Sequence, residues 1–250
     1  MPSRAWILGI DTSGAAGGLA LLEREGEALV ERALEAGVRG SRALLPALDL
    51  LLREAGARRE ELAAIGAAVG PGTFTGLRVG LSTAKGLSLG LGLPLYGVSS
   101  LEALALAAWG AWRLRPGSAP PEWLIPFREA RQGELLWALF AAPSEPDGLP
   151  RRESEDAVEE PSRIPLPSQG RILTVGSDAA LPAAWPGEGP RLSHMELSTA
   201  AAATARLARE SLLRQDPPAP PGLEPRYGRA PRAMTQWGAP PGIDPADSLP

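Results

Sequence analysis

Few residues in this chain are able to do chemistry. Its 250 residues include one histidine, His194, and no cysteine. Without thiols there is no disulfide, no thiolate nucleophile and no Cys-bound zinc. A lone imidazole cannot form a His-x-x-x-His metal pair, and the carboxylates show no ligand-type clustering. His194, between Ser193 and Met195, reads as a surface or capping residue. No Gly-x-Ser-x-Gly elbow is present, and the base for a serine nucleophile would again have to be His194. One segment keeps a catalytic look. Asp11-Thr12-Ser13-Gly14 ends the apolar run Trp6 to Ile10, where a carboxylate at a strand end could hold hydrated Mg²⁺. A phosphate clamp needs a second such loop, and the later chain offers only Glu129-Ala130-Arg131 and Gly176-Ser177-Asp178. Half a clamp stabilises a transferring phosphoryl group weakly. Asp11, Thr12 and Ser13 therefore read as a vestigial phosphate loop, with Asp11 capping its turn.

The second informative segment runs from Gly70 through Gly80 and on to Lys85-Gly86-Leu87. A glycine-rich loop after a strand and before a helix suggests phosphate, but the Walker spacing fails here. The helix itself says more. Positions 72, 76, 80, 84, 88 and 92 are Gly, Gly, Gly, Ala, Ser and Gly, with Gly86 and Gly90 besides. Each interior glycine costs about 1 kcal/mol relative to alanine, so some close contact must offset the series. Small residues at every fourth position admit another backbone. Either the chain's own sheet supplies it, or a second chain does. In the second case the docking face comprises Phe74, Gly76, Leu77, Gly80, Leu81, Ala84 and Ser88, shared with Leu44, Leu48, Leu51 and Leu52 of the preceding helix. Arg78 and Lys85, two turns apart on one face, are then rim charges for acidic partner residues, or else plain solvated charge.

The elements that carry these residues follow from periodicity. Trp6 to Ile10, Gly18 to Leu22 and Ala28 to Leu34 read as an antiparallel meander. Helices are expected over Ser41 to Ala55, with Pro46 near its first turn, over Phe74 to Leu91, and over Ser99 to Trp112 with a Ser99/Glu102 capping box. Strands at Ile65 to Val69 and Leu95 to Val98 alternate with them, which implies parallel crossovers. Beyond a Pro/Gly-rich break at 115–122 the pattern weakens. Strands are expected at Leu124 to Phe127, Glu134 to Phe140 and Ile172 to Val175, and an alanine-rich helix at Ser198 to Leu213. Trp109, Trp112, Trp123 and Trp137 read as core or hinge aromatics. The domains implied are 1–114, a smaller 115–228 and a Pro-rich, disordered tail 229–250. The fold class is α/β, an actin-like ATPase (ribonuclease H-like) fold of two lobes, the second degenerate.

Composition narrows the partners. A net charge of −4 disfavours tight binding of nucleic acid by the chain alone. No apolar run of about 18 residues is present, so no membrane span is expected and the setting is cytoplasmic. One lysine, no asparagine and many arginines suit a thermophile or a GC-rich genome equally.

The stretch Gly70 to Leu104, GPGTFTGLRVGLSTAKGLSLGLGLPLYGVSSLEAL, and the start ILGIDTSGAAGGLALL resemble the TsaB (YeaZ) family, with weaker echoes in REARQGE (128–134) and EPRYGR (224–229). The resemblance implies a non-catalytic scaffold in tRNA threonylcarbamoyladenosine modification, with no cofactor of its own. It implies pairing with a TsaD-like catalytic subunit through the two helices above, joined by a TsaE-like P-loop ATPase. Transfer RNA would be met only through that complex, and the isolated chain could form a homodimer. The rival readings are a weak actin-like ATPase or kinase and a purely structural homodimer.

Overall fold

A computed structural model describes residues 5–34, 41–117, 119–130, 133–176, 185 and 191–228. The tail 229–250 and residues Arg131, Ser177 and Asp178 lie outside the described residues. The first three apolar runs form β1 (Trp6–Asp11), β2 (Gly18–Glu23) and β3 (Leu29–Ala33). β1 and β2 are buried along almost their whole length, as strands covered on both faces are. β3 is partly exposed and forms the edge. The chain then alternates α1 (Ser41–Ala55), β4 (Leu62–Gly70), α2 (Phe74–Leu91), β5 (Leu95–Ser99) and α3 (Ser100–Arg113). The sheet order is β3-β2-β1-β4-β5. The meander pairs are antiparallel, and β1–β4 and β4–β5 are parallel. Pro46 lies inside α1 rather than in its first turn, on an exposed face where its missing N–H removes one helix bond. α2 ends where Gly92 takes a left-handed φ of 66° and donates its N–H to Ser88 O.

The second half repeats this plan. Its strands are β6 (Trp123–Glu129), β7 (Leu135–Trp137), β8 (Phe140–Ala141), β9 (Arg151–Arg152), β10 (Ala157–Glu159), β11 (Ile172–Gly176) and β12 (Leu192–Glu196). The order β10-β7-β6-β11-β12 reproduces that of the first sheet, with the same alternation of antiparallel and parallel pairs. The single strand expected over Glu134 to Phe140 is broken into β7 and β8. β12, which contains His194, carries no apolar run and gave no sequence signal. The alanine-rich helix is α4 (Ala201–Leu213).

The two closing helices are exchanged between the sheets. α3 follows the first sheet yet packs on β6 and β11 of the second, and α4 follows the second sheet yet packs on β1, β2 and β4 of the first. Leu101, Leu104 and Trp109 of α3 share a core with Leu124, Phe140, Leu173 and Val175. Ala201, Ala205 and Ala208 of α4 share one with Ile7, Ala64 and Tyr96. The approach of α4 is close. A Cβ on Gly9 of β1 would lie 2.2 Å from Ala201 O, and one on Gly66 of β4 would lie 2.7 Å from Thr204 O. Glycine in these strands is thus a packing requirement. After α4 the chain returns as a strap. Ala219 N donates to Leu95 O and Arg226 N to Val69 O, each at 2.7 Å, which brings residues 223–228 against the start of α2. No helix among the described residues is long and apolar enough to cross a membrane.

Candidate functional site

The loop after β1 is locked by the protein itself. Asp11 is 3% exposed, and one of its carboxylate oxygens accepts from Ser13 N (3.0 Å) and from Ser13 Oγ. The other accepts from Ala200 N at 3.1 Å and faces Arg128 Nη2 at 4.0 Å. Arg128, 6% exposed on β6, also donates to Ser13 Oγ at 2.6 Å. Ala200 is the N-cap residue of α4, so Asp11 supplies the acceptor and the negative charge that this helix start requires. Glu31 of β3 reinforces it by accepting from Ala202 N at 3.2 Å. Burial against the helix raises the Glu31 pKa in spite of that bond, and the nearby charge of Asp11 adds to the rise. Thr12 and Ser13 are engaged from the other side. Thr12 Oγ1 donates to Gly76 O at 2.7 Å, and Ser13 O accepts from Thr73 N at 2.9 Å. The polar groups that could grip a phosphate are committed to one another. Asp11 is a cap that ties both halves together.

This arrangement corrects part of the docking face expected from sequence. Leu44, Leu48, Leu51 and Leu52 of α1 and Leu77, Leu81 and Ala84 of α2 lie in the chain's own core, packed with Leu8, Ile10 and Ile65 or closely beside them. They cannot reach a second chain. Gly80 is buried too, and the Cβ it lacks would sit 2.1 Å from Thr12 Oγ1. At Gly76 the clash would be with Thr12 O, at 2.0 Å. These two glycines admit the β1 loop, not a neighbour's backbone. Ser88 is half-buried and donates its hydroxyl to Leu93 O at 2.6 Å, which serves the end of α2. Phe74 and Arg78 do reach the surface, and Lys85 does so in part.

The outward face contains residues that were not among those expected to form the docking face. Leu45 and Leu50 of α1 are each 47% exposed, and Leu89 of α2 is 88% exposed. Thr75, Ser82, Gly86 and Leu89 rise along one side of α2, and a Cβ at Gly86 or Gly90 would meet nothing within 4 Å. At the start of α2, Phe74 packs on Tyr227 of the strap with ring centroids 5.0 Å apart. Arg78 stacks over Phe74 at 3.9 Å and donates Nε–H to Tyr227 OH at 2.8 Å. His194 lies apart on β12, its Nδ1 2.9 Å from Thr174 Oγ1 and its ring stacked on Phe127. Trp109, Trp112 and Trp137 are buried as expected.

Two sheets of one strand order, closed by exchanged helices, define an actin-like, ribonuclease H-like α/β protein. Residues 35–160 match the model of the family described as TsaD, tRNA N6-adenosine threonylcarbamoyltransferase. The chain is 33% identical over 152 residues to the tRNA threonylcarbamoyladenosine biosynthesis protein TsaB of Escherichia coli, covering 58% of this chain and 59% of that one. Over 134 residues it is 40% identical to TsaB of Bacillus subtilis, covering 54% of each. The solved structure of YeaZ from Pseudomonas aeruginosa superposes with a TM-score of 0.73 at 26% identity, over 89% of this chain and 99% of that one. The chain belongs to the TsaB (YeaZ) family within this threonylcarbamoyltransferase-like group. Its alignments span somewhat more than half the length of the two curated relatives.

Proposed function

We propose that this chain is an accessory, non-catalytic subunit of tRNA threonylcarbamoyladenosine biosynthesis, which docks a TsaD-like subunit on the outer faces of α1 and α2. One observation carries the reading. The helices α1 and α2 expose Leu45, Leu50 and Leu89, and α2 is open to an approaching atom at Gly86 and Gly90. Exposed leucines beside small helix residues suit a packed helix pair from another chain. The committed loop at Asp11 supports a binding role over a phosphoryl-transfer role. A TsaE-like P-loop ATPase joins the pair, and tRNA meets this chain only through the assembly. In this reading the lobes divide at residue 114, and α3 and α4 hold them together.

The test is co-purification from native extract, with and without Leu89→Asp and Leu45→Asp. Both side chains lie outside the core, so the variants should fold like the parent. The TsaD-like and TsaE-like chains are expected with the parent and lost with the variants. Equal recovery from all three would reject the surface. Micromolar Mg-ATP binding with turnover by the chain alone would favour an ATPase or kinase. The same face also fits a second copy, so mixing with the TsaD-like chain must convert any homodimer to heterodimer.

A further inference from the structure

Beside the outer face of α2 lies a cavity of 390 Å³, a size that falls in the small-molecule range. One wall comes from α2. Arg78, Ser82 and Lys85 follow one another at steps of four and three residues, so a single helix face presents a guanidinium, a hydroxyl and an ammonium. The opposite wall is the returning strap, with Glu224, Pro225 and Tyr227. The strap is fixed there by Arg226 N on Val69 O and by Tyr227 OH under Arg78 Nε.

The charges of this cavity are uncommitted. Lys85, the only lysine of the sequence, makes no hydrogen bond or ion pair among the described residues, and neither does Glu224. Arg78 spends Nε on Tyr227 and one face of its guanidinium on Phe74, which leaves both terminal nitrogens as donors. Most other arginines among the described residues hold a carboxylate or a carbonyl, as Arg59 holds Asp49 and Arg171 holds Glu122. Two open cations with a hydroxyl between them fit a doubly charged oxyanion, since charge-assisted bonds to phosphate are the strong ones. A carboxylate on the far wall accepts hydrogen bonds from a ligand's hydroxyl groups. A lone acidic side chain from a partner would leave most of the volume empty and Glu224 unused.

We propose that this cavity binds a small phosphomonoester that carries hydroxyl groups, with the phosphate on Arg78, Ser82 and Lys85 and the hydroxyls on Glu224. The cavity borders the docking face, since Ser82 also lies on the outward side of α2, and titration of the isolated chain tests it without the partner. The experiment is isothermal titration of the full chain at low ionic strength with ribose 5-phosphate, inorganic phosphate, ribose and succinate. Ribose 5-phosphate should saturate the chain and bind about ten-fold or more tighter than ribose or succinate. Lys85→Met should weaken ribose 5-phosphate and inorganic phosphate alike by about ten-fold. Glu224→Gln should weaken ribose 5-phosphate but not inorganic phosphate. Neither side chain has a folded-state partner among the described residues, and a matching urea transition would confirm that both variants fold. Absence of saturation at about 10 mM of any phosphate ligand would overturn the proposal. So would succinate binding as tightly as ribose 5-phosphate, or a Glu224→Gln variant that binds ribose 5-phosphate unchanged.

Discussion

Alanine placed at four glycines of α2 should have effects of opposite sign. At Gly86 and Gly90 a new Cβ meets nothing within 4 Å. The helix propensity gain is then realised in full, about 1 kcal/mol each, or about 2–4 °C in Tm for a chain of this size. At Gly76 the Cβ would lie 2.0 Å from Thr12 O, a backbone atom that cannot swing aside. At Gly80 it would lie 2.1 Å from Thr12 Oγ1, which donates to Gly76 O at 2.7 Å. Overpacking of this kind costs about 1–3 kcal/mol, and the lost Thr12 bond adds about 1 kcal/mol. Set against the propensity gain, Gly76→Ala and Gly80→Ala should each destabilise the chain by about 1–3 kcal/mol. Urea unfolding of the isolated chain at low concentration measures all four. A neutral Gly76→Ala, or a Gly86→Ala that lowers the midpoint, would refute the assignment of the glycines to an inner and an outer face.

Other substitutions probe the rest of the structure. Arg128→Met leaves Asp11 buried without its cation and should cost about 3 kcal/mol in urea unfolding, with partial recovery when Asp11→Asn is added; an additive double variant would show that the two do not interact. Glu102, at the start of α3, has its pKa raised because burial outweighs the pull of Arg152 and Arg214. The native state therefore holds that proton more tightly than the unfolded chain, and this group's contribution to stability falls as pH rises above the ordinary carboxylate range. Glu102→Gln should accordingly gain on the parent in urea midpoints as pH rises above the ordinary carboxylate range, and a narrowing difference would contradict the burial argument. Gly66→Val should loosen α4 and lower stability by about 3 kcal/mol or more, read as faster hydrogen exchange in α4 and β4.

Much of the first lobe was legible because each element there carries its own periodicity, from the meander through the 74–91 helix. What periodicity does not reveal is which side of a helix faces inward. Six residues at about 100° each turn Gly86 about 120° away from Gly80, so one glycine series serves two surfaces. The leucines of α1 went astray for a related reason. Leu44, Leu48, Leu51 and Leu52 are the inward set, while Leu45 and Leu50, between them in sequence, are the exposed pair. The contact of α4 with the first sheet links residues far apart in the chain, and its one sequence signal was glycine inside β1 and β4, at Gly9 and Gly66. Arg128 offered a signal as well, a charged residue directly after the apolar run Trp123 to Phe127 of β6. β12 offered none, since Leu192 to Glu196 has neither an apolar run nor clean alternation.

The exchange of α3 and α4 has a consequence for synthesis on the ribosome. The strands of the first sheet are complete once Ser99 has been made, but the helix that covers their inner face ends at Leu213. At about 5–20 residues per second, roughly 6–23 s separate the two events. Through that interval Ile7, Ala20, Leu22, Ala64 and Tyr96 wait for their alanine-rich cover. A nascent chain stalled before residue 200 should therefore stay bound to chaperones, and release should come only as the last helix emerges from the exit tunnel.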